Sequence, residues 1–148
     1  MSREKNVRLG LLKFVYLYTI LGAGGFGVLM IFAPSVVVSL FNMPEQDPYI
    51  YGIAGSVWTA FGILSIFGLR SPLKFLPVLM MQFCYKSIWL VAVVLPVMVG
   101  GYRPLYGYLF TAIMASYVVL DLMAIPFGYL LGERSEPLVP STAEAQAS

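Results

Sequence analysis

The sequence predicts an all-α fold: a four-transmembrane-helix bundle with a short interfacial helix after the first span. Three observations predict it. Of the 148 residues 59% are hydrophobic and 11% charged, with mean hydropathy +0.84, whereas soluble domains carry roughly 25% charged residues; the surplus apolar surface must face lipid. Four apolar runs each reach the ~20 residues that a ~30 Å hydrocarbon core requires. None of them shows the in-out alternation of a barrel strand, and open strands would leave backbone groups unpaired in lipid, so helix is the form left.

The first span covers about residues 9–32, behind the basic flank MSREKNVRLGLLK. It exceeds the apolar stretch of about 7 to 15 residues in a signal peptide, and Ala33 precedes Pro34, a poor place to cut, so the span is read as uncleaved. The connection that follows opens with PSVVVSLFNM. Its apolar Val36, Val37, Leu40 and Phe41 fit a short helix in the membrane interface, ended by Pro44 and Pro48, with an irregular loop as the plain alternative. The second span covers about 50–69. The third covers about 73–97, with Ser71 and Pro72 suited to its N-cap and first position. Gly100, Gly101 and Pro104 mark a tight turn before the fourth, about 105–131. Residues 1–132 thus form one membrane domain. The tail, 133–148, is rich in Ser, Ala, Glu and Pro without apolar periodicity and is expected to be a disordered cytoplasmic segment. No internal repeat is evident.

Charge sets the expected orientation. Arg3, Lys5, Arg8 and Lys13 flank the first span and Arg70 and Lys74 lie in the second connection, whereas the first connection holds Glu45 and Asp47 and no basic residue. Only Arg103 lies on the other side. By the positive-inside bias both termini face the cytoplasm, in the cell (inner) membrane.

Two ionisable residues fall inside spans. Lys86 lies about 20 Å beyond Leu73 along the third helix, and Asp121 about 15 Å before Leu131 on the fourth. The helices are consecutive and antiparallel, and an unpaired charge at the bilayer centre costs about 2.5–3.5 kcal/mol on insertion scales, so Lys86 and Asp121 are expected to face each other inside the bundle. Such a pair either fixes the rotation of two helices or serves a proton or substrate; snorkelling of one partner is the third reading. Gln82, Tyr85, Lys86 and Trp89 share one face of the third helix by i, i+3, i+4, i+7 spacing, and Tyr117 lies one turn from Asp121. Together they make a packed core with interhelical hydrogen bonds, the reading placed slightly ahead, or a polar and aromatic lining. Cys84 lies off that stripe and reads as a small packing residue.

Small residues mark helix contacts. Gly22, Gly24, Gly25 and Gly27 lie in GAGGFG of the first span, and Gly52, Gly55, Ser56, Thr59 and Gly62 lie on one face of the second. GAGGFG sits within an apolar span and does not match the dinucleotide pattern, so it is not read as a phosphate loop.

Several classes are set aside. A net charge of +2 with its basic residues dispersed does not suit nucleic acid. The single cysteine permits no intrachain disulfide, and without histidine the chain offers no metal centre, so neither a metal nor another cofactor is expected. No catalytic residue is assigned. The four-span rhythm, the proline-bounded loop LFNMPEQDP and the glycine-bearing helix GIAGSVWTAFGIL resemble the small bacterial four-helix DoxX-like membrane proteins. The resemblance implies an association with membrane redox systems or quinones. Three functions stay open, in this order: an accessory or structural subunit packing in a homo-oligomer or larger membrane complex, a small proton-coupled transporter, and last, for want of an obvious nucleophile or metal site, an enzyme or a quinone- or lipid-binding protein. A dry interface around Lys86 favours the first, a cavity open to one side of the membrane the second, and a slot open to lipid the third.

Overall fold

The computed structural model describes residues 7–130. In chain order the helices are α1 (Leu9–Phe32), α2 (Pro34–Phe41), α3 (Pro48–Arg70), α4 (Leu76–Val99), α5 (Leu105–Ala124) and α6 (Phe127–Leu130), and no strand occurs among the described residues. α1, α3, α4 and α5 are long and apolar enough to cross a bilayer, which makes the chain a multi-pass membrane protein. Each of these four packs against its neighbours in sequence, and α5 closes the ring against α1. The result is an up-down-up-down bundle. The tail, 133–148, and the basic Arg3 and Lys5 lie outside the described residues.

Local chemistry explains the helix ends. Pro34 starts α2, with its fixed φ and missing N–H suited to a first turn, and Asn42 ends it in the left-handed conformation at φ 48°. The α2 segment is therefore a helix, and Asn42 stops it two residues before Pro44. Asp47 caps α3 by accepting hydrogen bonds from the Tyr49 and Ile50 backbone N–H at 3.0 and 2.9 Å, with Pro48 at the first position. At the next turn the structure corrects the sequence reading. Ser71–Phe75 form a turn rather than helix, and α4 begins at Leu76 with Pro77 in its first turn, so Ser71 and Pro72 do not start it. Pro72 instead accepts a 2.8 Å hydrogen bond from the Tyr16 hydroxyl, tying this turn to α1. α5 stops at Ala124, earlier than the expected 131, because Ile125 is extended before Pro126.

Two wide π-helical turns interrupt the spans, Ile20–Gly24 in α1 and Leu90–Val94 in α4. The second precedes Pro96, whose ring and missing N–H disrupt the regular ladder just behind it. The first matters more, because a side chain of α5 enters it.

The α1–α3 contact is made of glycine. A Cβ on Gly24 would fall 2.8 Å from the Gly62 Cα, and one on Gly27 would fall 2.6 Å from the Gly55 carbonyl oxygen and from the Thr59 nitrogen. Backbones meet directly there, and Thr59 returns its hydroxyl to Gly55 O at 2.8 Å instead of reaching across. Gly22 approaches α5, where a Cβ would overlap the Tyr117 hydroxyl. Three residues assigned to packing by spacing do not pack: Gly25 and Gly52 face open space and Ser56 is exposed. Their spacing matches the contact face, but each lies one position round the helix from a residue that makes the contact.

The end of the bundle that carries Arg8, Arg70 and Lys74, called here the basic end, is filled. Leu12, Val15 and Tyr16 of α1 interlock with Leu76 and Leu79 of α4 and with Ala124 and Ile125. At the opposite end α2 folds back so that Val37 is buried with Met30 and Tyr51. Between these ends lies the polar layer.

Candidate functional site

Five polar or charged side chains are buried among the described residues: Thr19, Ser65, Gln82, Lys86 and Asp121. Three of them form one network just above the filled basic end. The Thr19 hydroxyl donates to Val15 O at 2.9 Å and accepts from Gln82 Nε2 at 3.2 Å, and the same amide donates to Asp121 Oδ2 at 3.1 Å. A buried carboxylate thus finds its donor on α4, and Thr19 anchors that donor to α1.

Lys86 lies one turn farther along α4. It is 0% exposed, and its Nζ has no hydrogen-bond partner among the described residues and no carboxylate within 4.0 Å. The direct contact with Asp121 expected from sequence is therefore absent, although both residues are buried on facing helices. The reason is register. α5 ends at Ala124, so Asp121 lies only three residues from the basic end and level with Gln82, while Tyr117, one turn or about 6 Å higher, is level with Lys86.

Lys86 meets the tyrosine instead. Its Nζ stands 3.1 Å from the Tyr117 ring centroid and 5.6 Å from that of Tyr85. An amino cation over an aromatic face is worth about 2 kcal/mol when desolvated. The Tyr117 hydroxyl is committed elsewhere: it accepts from the Ala23 N–H at 2.9 Å and donates to the Tyr18 carbonyl at 3.1 Å. It thus occupies the wide turn of α1 and satisfies the backbone groups that the turn separates. The Tyr18 ring packs beside it at 4.5 Å between centroids, with its own hydroxyl 3.0 Å from Ser116 Oγ.

Above Lys86 the bundle opens into a cavity of about 230 Å³. Its walls are Tyr18, Gly22, Ala23 and Phe26 of α1, Trp58 of α3, and Phe110, Ile113, Met114 and Tyr117 of α5, with Lys86 at the floor. Phe41 of α2 covers the opposite end, with ring centroids 5.4 Å from Phe26 and 5.1 Å from Phe110. Tyr18 and Gly22 are half-buried and Ile113 is 38% exposed, so the cavity reaches the lipid-facing surface along the α1–α5 seam. The basic end below is closed by the interlocked side chains of the core.

The stripe read from sequence on α4 divides. Gln82 and Lys86 are in the polar layer. Tyr85 is partly buried, its ring stacked on Phe61 at 5.3 Å and its hydroxyl without a hydrogen-bond partner among the described residues. Trp89 turns away and lines a separate hollow of about 130 Å³ beside Tyr102, Arg103 and Thr111. Trp58 takes the place on the cavity wall that spacing assigned to Trp89. Cys84 is exposed on the outer face of α4 and does not pack in the core. Thr19, Tyr18 and Trp58 were not singled out from the sequence. Trp58 carried a usable signal, lying four residues before Gly62 on the face that meets α1. No cluster of metal-ligating side chains is found among the described residues.

Chemically the site offers one amino group, an apolar aromatic void and an opening to lipid. Whether the proton resides on Lys86 or on Asp121, the pair carries no net charge. A neutral guest with a hydrogen-bond acceptor leaves the layer neutral, whereas an anion would bury a surplus charge. No protein-family model, curated protein or solved structure matches the chain.

Proposed function

We propose that this membrane protein binds a small, neutral, lipid-soluble molecule that carries a carbonyl or similar acceptor. The guest enters from the bilayer along the α1–α5 seam, lies between Phe26, Trp58 and Phe110, and accepts a hydrogen bond from Lys86. The observation that supports this most strongly is the unpartnered Lys86 Nζ beneath an aromatic cavity, since a buried donor without an acceptor costs about 1–3 kcal/mol until something supplies one. At about 230 Å³ the cavity lies below the ~300–1,000 Å³ usual for drug-sized ligands, which suits a single ring or the end of a chain. The resemblance to DoxX-like membrane proteins agrees with a quinone or lipid guest. Proton-coupled transport fits less well, because the void is apolar and the basic end is filled.

The test uses Trp89→Phe protein in mild detergent, where Trp58 is the remaining tryptophan, titrated with acetophenone. Saturable quenching is expected, weakened about tenfold or more by Lys86→Met combined with Asp121→Asn, a change that keeps the layer neutral. Quenching that never saturates, or that is equal in the two proteins, rejects the reading.

A second reading, the accessory subunit in a homo-oligomer or larger membrane complex, is supported by Gly52 and Ser56, which leave a small-residue strip of α3 uncovered. A strictly monomeric state in mild detergent and in native membranes would argue against it.

A further inference from the structure

We propose that Lys86 is an imine-forming lysine, whose Nζ adds to the carbonyl carbon of a small apolar aldehyde held in the aromatic cavity. This rests on the reading of the cavity as a site for a neutral carbonyl guest, and it makes the contact covalent. Addition needs a neutral amine with a free lone pair, the state in which the proton shared by the two buried residues sits on Asp121, and Lys86 Nζ has neither a hydrogen-bond partner nor a carboxylate within 4.0 Å among the described residues. It also needs a route to the guest. Lys86 is 0% exposed beneath the Tyr117 ring, and a swing of its flexible four-carbon stem carries the amine from that ring into the void of about 230 Å³.

The surroundings favour the product. Condensation releases water, and an apolar cavity bordered by lipid removes that water and slows the reverse hydrolysis. Asp121, one turn away on α5, balances the positive charge if the imine nitrogen is protonated. An aldehyde is preferred over an acid, which would bring a surplus negative charge, and over a ketone, whose second substituent crowds the carbon under attack.

The step balances without an oxidant. The Nζ lone pair forms the C–N bond as the carbonyl π electrons move to oxygen, and a proton passes from nitrogen to that oxygen to give a carbinolamine. The C–O bond then breaks, oxygen leaves as water with the second nitrogen proton, and the C=N bond forms. One amine and one aldehyde give one imine and one water.

The experiment is reductive trapping of the full chain in mild detergent with benzaldehyde and cyanoborohydride, mapped by peptide mass. Lys86 is expected to carry the benzyl adduct at about tenfold lower aldehyde than the exposed Lys13 and Lys74, and acetophenone, which fits the same space, is expected to protect it. Labelling of Lys13 and Lys74 ahead of Lys86 overturns the proposal. If acetophenone quenches Trp58 saturably while Lys86 gains no adduct, the imine fails and the carbonyl-binding reading stands. If neither occurs, both fail.

Discussion

At the level of single residues, Tyr117 does the most varied work in the bundle. Its ring faces Lys86 while its hydroxyl bridges two backbone groups of α1, and Gly22 leaves the space that this hydroxyl fills. Gly22→Ala should cost about 1–3 kcal/mol through overlap with the hydroxyl. Tyr117→Phe should cost about 1–3 kcal/mol by leaving two backbone groups unsatisfied. The double variant should lose less than the sum by at least about 0.5 kcal/mol, since removing the hydroxyl opens room for the methyl. Unfolding in graded detergent mixtures measures all three, and strict additivity would contradict the bridge. The two intramembrane charges were legible because ionisable side chains stand out in apolar runs. Their register was not, because it depended on where α5 ends. Pro126 held that information, and an apolar run continuing past it to Leu131 concealed it. The Tyr117 bridge had no signal within its own helix, since its partners are main-chain atoms of another.

Among the elements, the contact between α1 and α3 depends on which glycines touch. Gly62→Ala should destabilise the bundle by about 1–3 kcal/mol, because the methyl meets the Gly24 backbone. The same change at Gly25, with open space around it, should leave stability unchanged or raise it by up to about 1 kcal/mol through helix propensity. Equal effects at the two sites, in the same detergent unfolding measurement, would mean that the helices do not meet this way. Spacing alone put both residues on packing helices. It could not separate them, because a run as dense as GAGGFG places glycine on every side of the helix and only the partner helix decides which side is used. The four spans and α2 were legible for a simpler reason. Apolar length and proline positions are local, and the fold preserves them.

For the whole molecule, the short connections between the later spans already implied antiparallel neighbours, but not the closure of α5 against α1. The cavity was not legible, since a void depends on how four faces fail to meet and no single segment encodes it. Orientation is an expectation that charge alone carries, and labelling tests it. In a Cys84→Ser background, Glu45→Cys should react with a membrane-impermeant maleimide in intact cells and Ser71→Cys only after lysis; the opposite pattern would place both termini outside. The wide turn Ile20–Gly24 has a consequence for how this chain can vary in length. It holds one residue more than a regular helix needs, and each residue corresponds to about 100° of rotation. A single deletion there would not shorten α1 harmlessly. It would act as a phase error, turning the half that carries Leu12, Val15 and Tyr16 away from its partners while the half that carries Gly24 and Gly27 stayed in place. The two halves of α1 behave as separately aimed rods joined by a one-residue coupling, and the Tyr117 hydroxyl is the pin that holds their angle.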